Sequence, residues 1–277
     1  MDWKSLKDTP PWEWPEGASK MLLGVLRDDR APESDRLLAV ELAGVFGDVD
    51  DELVDALLSI LASGERSAEV RGKAAISLGP VLEHADTVGF EDADDAPIAE
   101  GTYRRIRESL RRMYADAGVP KDVRRRILEA SVRAPQDWHA DAIRAAYRND
   151  DAAWKLTAVF CMRFVRGFEE QILEALASTN PDIHYEAVVA AGNWGLDAAW
   201  RPIAALVASR RTEKPLLLAA IEAAASIQPH EALEILDDLA DSDDEDIAAA
   251  VDEAMAMAEG HSADDDDCDD DGDPPSR

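Results

Sequence analysis

Apolar side chains recur along this chain at helical spacing. Leu53, Leu57, Ile60 and Leu61 mark one stripe, and Tyr103, Ile106, Leu110 and Met113 another; Ile172, Leu173 and Leu176, then Ile203 and Leu206, continue the pattern. A second kind of stripe, built on smaller residues, lies between them. Ala39, Ala74, Ile127, Ala158, Ala187, Ala219 and Val251 are each followed four residues later by another small or apolar residue: Ala43, Leu78, Ser131, Met162, Ala191, Ala223 and Met255. Residues four apart share a helix face, so each such pair predicts a buried stripe that a neighbouring helix can approach closely. The steps between successive lead residues are 35, 53, 31, 29, 32 and 32. A near-constant period of this length predicts helix pairs stacked on their neighbours. No alternating strand pattern competes with it. The predicted fold is all-α, a right-handed α-solenoid of about seven helix pairs.

Turn chemistry separates the predicted helices. Asn180-Pro181-Asp182 reads as an N-cap followed by proline at the first helical position, and Asp151 and Asp244 stand at the same place in their repeats. Gly44, Gly47, Gly79, Gly167, Gly192 and Gly195 fall near predicted helix ends, where a positive φ suits glycine. These signals divide the chain into an N-terminal Trp/Pro strap over 1–16, a repeat body over 17–260 and an acidic tail over 261–277. The strap carries Pro10-Pro11-Trp12-Glu13-Trp14-Pro15, whose two tryptophans are expected to cover the first apolar edge. The tail runs Asp264 to Asp267, Cys268 and Asp269 to Asp271, a like-charge block expected to be disordered.

Glu69-Val70-Arg71 followed by Ala74-Ala75-Ile76-Ser77-Leu78-Gly79 resembles the second-helix signature of HEAT repeats, especially the short form of phycobilin-lyase-like proteins and other bacterial HEAT-repeat proteins. Asp122-Val123-Arg124 and Asp182-Ile183-His184 echo the same start, whereas Pro215-Leu216 and Ile247-Ala248 lack the basic residue. The resemblance spans residues 17 to 259. It implies a HEAT-like solenoid, but it leaves function open, because such proteins scaffold, transport, bind nucleic acid or catalyse.

Composition narrows the classes. Apolar residues make up 46% of the 277, ample for a core. With two cysteines, Cys161 on a predicted buried helix and Cys268 in the tail, a disulfide framework is not expected. The start Met1-Asp2-Trp3-Lys4 lacks a signal-peptide pattern and no apolar run reaches a membrane span, so a cytoplasmic protein is the expectation; a monomer is expected as well. The net charge of −30 disfavours nucleic acid and anionic membranes as partners. Asp exceeds Glu by 36 to 23 and Arg exceeds Lys by 22 to 7, a bias compatible with salt adaptation or with a GC-rich genome.

Charge is unevenly placed. The 53-residue step contains an acidic inserted loop, about 83–100, with Glu83, Asp86, Glu91, Asp92, Asp94, Asp95 and Glu100 and no Lys or Arg. It lacks the ligand order of a calcium loop. Directly after it, Tyr103 to Arg148 holds twelve basic and six acidic residues, a local balance of +6 within a chain of −30. Arg104, Arg105, Arg107, Arg111 and Arg112 fall on one predicted helix, and Lys121, Arg124, Arg125 and Arg126 open the next. Three readings follow: pairing with the acidic insertion, docking of an acidic partner, or phosphate binding.

Catalytic patterns are sparse. Deoxyhypusine hydroxylase resembles the expected architecture but relies on repeated His-Glu dipeptides for iron; this chain has one, His230-Glu231, and its other histidines (84, 139, 184 and 261) lie in separate repeats. A lone histidine at a helix start reads first as a cap or surface residue. No metal or cofactor is expected. HEAT-like DNA glycosylases use tryptophans and a carboxylate in a basic cleft. Here Trp154 takes a repeat position held elsewhere by Val70, Val123 and Ile183, a core position. Trp194 and Trp200 flank a turn. Bilin-lyase activity is implied by the resemblance alone.

Lys155, His184, Tyr185, Glu186, Asn193 and Trp194 fall at the ends of adjacent second helices, which in HEAT-like solenoids line the concave face. The leading expectation is therefore a non-enzymatic scaffold binding a protein or peptide partner. Its candidate contacts are Arg104, Arg105, Arg111, Arg112, Arg124, Arg125 and Arg126 in the third repeat, and Lys155, His184, Tyr185, Asn193 and Trp194 in the groove. The alternatives are an enzyme with substrate in the groove, glycosylase-like or bilin-lyase-like, and a phosphate or nucleic-acid binder.

Overall fold

A computed structural model describes residues 3–45, 49–91 and 96–266, with side chains described as far as residue 259. Gly47, the acidic Asp92, Asp94 and Asp95, and the tail from residue 267 onward lie outside the described residues. The chain divides into two compact units, Met1–Ala146 and Tyr147–Arg277.

Helices account for all regular structure among the described residues. They are α1 (Ala18–Arg27), α2 (Glu33–Val45), α3 (Asp51–Ala62), α4 (Ala68–Ser77), α5 (Gly79–Val88), α6 (Glu100–Ala115), α7 (Lys121–Ser131), α8 (His139–Tyr147), α9 (Ala152–Cys161), α10 (Glu169–Ala175), α11 (Pro181–Asn193), α12 (Trp200–Val207), α13 (Lys214–Ile227), α14 (Pro229–Ala240) and α15 (Glu245–Asp266). Seven of these fifteen helices, among the described residues, are the second helices of the repeat. Every lead residue of the repeat falls in a second helix, α2, α4, α7, α9, α11, α13 or α15, and all seven are buried.

The architecture is an all-α solenoid arrangement within each unit. In the first, α1 packs on α2, α3 on α4 and α6 on α7; the second helices form a row, α2 against α4 and α4 against α7. The second unit repeats this with α10 on α11, α12 on α13 and α14 on α15, and a row of α9, α11, α13 and α15. In the first unit the shared interior includes Leu22, Leu53, Leu57, Leu61, Leu78, Ile106, Leu110 and Ile127, all essentially inaccessible. Each such side chain contributes ~1.5–3 kcal/mol by leaving water.

Local chemistry sets where each second helix starts. Seven residues before the lead residue stand Ser67, Asp151, Asn180 and Asp244. Each accepts a backbone N–H in the first turn: Val70 to Ser67 at 3.3 Å, Ala153 to Asp151 at 3.0 Å, Asp182 to Asn180 at 3.0 Å and Asp246 to Asp244 at 3.1 Å. Three residues before the lead, the first unit carries Arg36, Arg71 and Arg124, each reaching a carbonyl at or just past the end of its own first helix. Arg36 donates to Asp28 O at 2.6 Å and Ala31 O at 3.2 Å, Arg71 Nε to Leu61 O at 2.9 Å, and Arg124 Nε to Tyr114 O at 2.7 Å. Arg71 and Arg124 thereby satisfy carbonyls that a helix end leaves unpaired, and Arg36 ties down the connection that follows α1. The second unit has Lys155, His184, Leu216 and Ala248 at that place, so the arginine series stops with α7.

Several expectations change. The segment predicted as an inserted loop from about residue 83 begins inside α5, because Val81, Leu82 and Ala85 share one buried face; Glu100 already opens α6. An extra helix, α5, together with the connection that follows it makes up the 53-residue step. In the N-terminal strap, Leu6 is fully buried and Trp3 and Trp14 pack against the core, while Trp12 is 84% exposed. Trp14 donates its indole N–H to Thr9 O at 2.7 Å, which holds that ring inward. Trp154 is half-buried rather than enclosed. Met255 is also only half-buried, and Ala254 and Ala258 carry the inward face of α15 instead. The backbone of α15 continues through residues 261–266.

Glycine serves two purposes here. Gly167 and Gly195 adopt positive φ, at 90° and 55°, as their turn positions suggest. Gly44 and Gly192 do not. A β-carbon on Gly44 would lie 2.8 Å from Ser77 Cα, and one on Gly192 2.8 Å from Ala223 Cα. Each stands five residues after its lead residue, where consecutive second helices touch backbone to backbone. Close approach, not turn geometry, requires glycine at these two positions.

Candidate functional site

The arginine-rich third pair is largely satisfied from within the first unit. Arg104 pairs with Glu100 one turn earlier on α6, and Arg105 reaches Asp55 of α3 at 2.6 Å and Thr102 Oγ1 at 3.2 Å. Arg107 lies over the Tyr103 ring, 5.1 Å from its centroid. Arg125 and Arg126 share the buried Glu129 carboxylate, at 3.4 and 2.6 Å, and Arg124 adds a ring contact with Tyr114 at 5.4 Å to its carbonyl bond. Arg133 pairs with Glu83 of α5. The Tyr103 hydroxyl donates to Asp86, and burial with that carboxylate pushes it up to about 12. Arg111 and Arg112 are exposed on the last turns of α6 and have no protein partner among the described residues. Of seven candidates in this region, five are therefore engaged and two are open.

His139, at the start of α8, is fully buried. Its Nδ1 accepts from the backbone N–H of Gln136 at 2.9 Å, so Nε2 carries the proton toward Ser131 Oγ at 3.1 Å, and Ser131 donates onward to Leu128 O at 3.2 Å. Burial, then the nearby Arg107 charge, pushes this imidazole down to about 4. It is a neutral structural cap.

The polar cluster predicted on the second helices of the second unit separates into three. Asn193 and Trp194 close the end of α9: the amide donates to Arg163 O at 3.4 Å and the indole N–H to Met162 O at 2.7 Å, with Arg166 stacked 4.4 Å from the Trp194 ring centre. Lys155 turns toward Glu174, at 3.4 Å, and over the Tyr147 ring at 4.6 Å. His184 is half-buried, which lowers its pKa, and its neighbour Tyr185 is exposed.

Tyr185 lines a groove of about 700 Å³ along the second-helix row of α11, α13 and α15. Pro215, Leu218, Ala219, Ala249, Ala250, Ala254 and Met257 contribute apolar surface, and Lys214, Glu222, Asp246 and Glu253 border it. Lys214 Nζ is held by Asp244 at 2.7 and 2.8 Å and by Asp246 at 2.7 Å, a pairing that raises the lysine pKa and lowers that of Asp244. Apart from Tyr185, none of these lining residues was among the sequence candidates. A signal existed: Leu218 and Ala250 immediately precede their lead residues, where pairs two, three and five carry Lys73, Arg126 and Glu186. A smaller recess of about 380 Å³ lies between α1 and α3, bordered by Arg27, Asp29, Asp55 and Arg66. Two of its edges are pinned by the Arg27–Glu52 and Arg66–Asp29 pairs, at 3.2 and 2.8 Å. Among the described residues, no three His, Cys, Asp or Glu side chains converge as a metal-holding group, and no helix is long and apolar enough to cross a membrane.

No family model matches the sequence, and no curated protein matches it. Solved structures do. Human deoxyhypusine hydroxylase, determined with glycerol, is similar at 16% identity and a TM-score of 0.41 over 93% of this chain and 90% of that one. YibA of E. coli is similar at 15% identity and a TM-score of 0.47, over 91% and 85%. An engineered protein is similar at 18% identity and a TM-score of 0.31, over 94% and 97%. At these identities and scores the likeness is one of helical architecture and says nothing of what this chain binds.

Proposed function

We propose that this chain is a non-enzymatic scaffold that binds a protein or peptide partner, with the second-helix groove of its second unit as the contact surface. The observation that carries the reading is the groove itself. It is open and apolar along its length, and an exposed tyrosine stands on one wall. An aromatic anchor beside an apolar trough is the composition of a binding hot spot. Rigid helix pairs present that surface without having to order themselves on binding, which removes one entropic cost of association. In this reading most arginines of the third pair serve the first unit itself: Arg104, Arg125 and Arg126 pair along their own helices, Arg105 ties α6 to α3 and Arg124 ties α7 to α6, while Arg111 and Arg112 remain open.

The test is selection of binders from a random peptide display library on the immobilised protein. Enriched peptides are expected to lose binding to an Ala249→Trp variant, which fills the groove from an exposed helix position and leaves the circular dichroism spectrum unchanged. Enrichment that ignores this substitution, or no enrichment at all, refutes the groove as the contact surface.

A further inference from the structure

We infer that the groove of α11, α13 and α15 recognises a basic amphipathic helix, one with an aliphatic or aromatic stripe flanked by Lys or Arg. The inference rests on the binding-face reading above and specifies the chemistry of the partner.

Three features lead to it. First, the trough offers hydrocarbon from Pro215, Leu218, Ala250 and Met257, so an occupant must bring apolar side chains to gain from desolvation. Second, the charge around the trough is one-sided. Glu222 and Glu253 are exposed carboxylates with no cation partner among the described residues. The single lining cation, Lys214, is already bound by Asp244 and Asp246 and presents no free positive charge. A partner with acidic flanks would meet like charge, while Lys or Arg beside the apolar stripe would meet unpaired carboxylates. The net charge of −30 adds long-range attraction of the same sign preference. Third, the walls are α-helices whose backbone groups are satisfied internally. No strand edge is available to pair with an extended peptide, so recognition falls to side chains, the mode by which a helix seats in a groove.

The experiment uses the full chain and three labelled peptides of about five helical turns, read by fluorescence anisotropy. One carries a leucine stripe with Lys flanks; the second has the same stripe with Glu flanks; the third has the composition of the first, scrambled to abolish the stripe. The first is expected to bind at least about tenfold more tightly than either of the others, and to weaken as salt is raised. Reversing both free carboxylates, Glu222→Lys with Glu253→Lys, is expected to cost about tenfold or more in its affinity. Tyr185→Ser, at an exposed position, is expected to weaken it severalfold as an independent check on folding artefacts. Equal binding of the scrambled peptide would show only attraction to an acidic protein and overturn the inference. So would preference for the Glu-flanked peptide. Display-selected peptides that depend on the groove but carry no basic flanks would defeat this inference while sustaining the binding-face reading. Sedimentation of the chain alone supplies a further arm: a dimer dispersed by the double reversal would identify a second copy as the occupant and refute the basic helix.

Discussion

Gly44→Ala should destabilise the first unit by about 2 kcal/mol, although alanine is the better helix former. The β-carbon it adds would lie 2.7 Å from Ser77 Oγ, 2.8 Å from its Cα and 2.9 Å from its Cβ. Comfortable carbon–carbon contact is ~3.5–4.0 Å, so α2 and α4 must separate by several tenths of an ångström or tilt. Overpacking of this kind costs ~1–3 kcal/mol. Ser77 is also fixed, because its hydroxyl donates to Val40 O at 2.8 Å in a buried setting. Displacing it sacrifices roughly 1 kcal/mol more. Against this stands a helix-propensity gain of no more than ~1 kcal/mol, smaller near a helix end. The control is Gly24→Ala on the exposed face of α1, where a β-carbon meets nothing within 4 Å. That change should stabilise the same unit by ~0.5–1 kcal/mol. Urea unfolding followed by far-ultraviolet circular dichroism reads both variants, with the midpoint shifts having opposite signs. A Gly44→Ala protein as stable as Gly24→Ala would refute the claim that backbone contact between second helices requires glycine there.

Arg71→Ala should cost ~1.5–3 kcal/mol in the same assay, because Leu61 O loses a charged donor in a buried place; Arg71→Lys should recover only part of it, since an ammonium lacks the planar fork. His139 makes stability depend on pH. Its folded pKa of about 4 lies below the ordinary 6.5, so the unfolded chain binds the extra proton first. The contribution is complete above pH 6.5, falls as pH drops through the window down to about 4, and amounts to ~3 kcal/mol in all. Urea midpoints measured across that window should shift far less with pH in His139→Gln, and an unchanged slope would dismiss the cap. Arg111→Glu with Arg112→Glu should move the urea midpoint by an amount equivalent to ~0.5 kcal/mol or less, since neither guanidinium has a partner to lose. A larger loss would reveal that these arginines hold the fold.

Much of the architecture was legible because the repeat writes it seven times. Lead residues from Ala39 to Val251 locate every second helix, and Asn180, Asp151 and Asp244 are read as caps from residue type alone, since a short side-chain acceptor before a helix has only local donors to satisfy. The partners of the arginines were not legible. Arg105 finds Asp55 fifty residues away and Arg133 finds Glu83 at the same separation, and sequence shows the excess of charge but not which carboxylate lies opposite. The sequence by itself determined that this chain is helical, periodic and strongly acidic, because those properties follow from local spacing and composition. Only the tertiary structure decided that Gly44 marks a backbone contact, that most arginines of the third pair find partners within the first unit, and that Tyr185 shares a trough with Leu218 and Met257. Each of these depends on which faces meet across successive repeats, and that register is set by packing between helices about thirty residues apart in the chain.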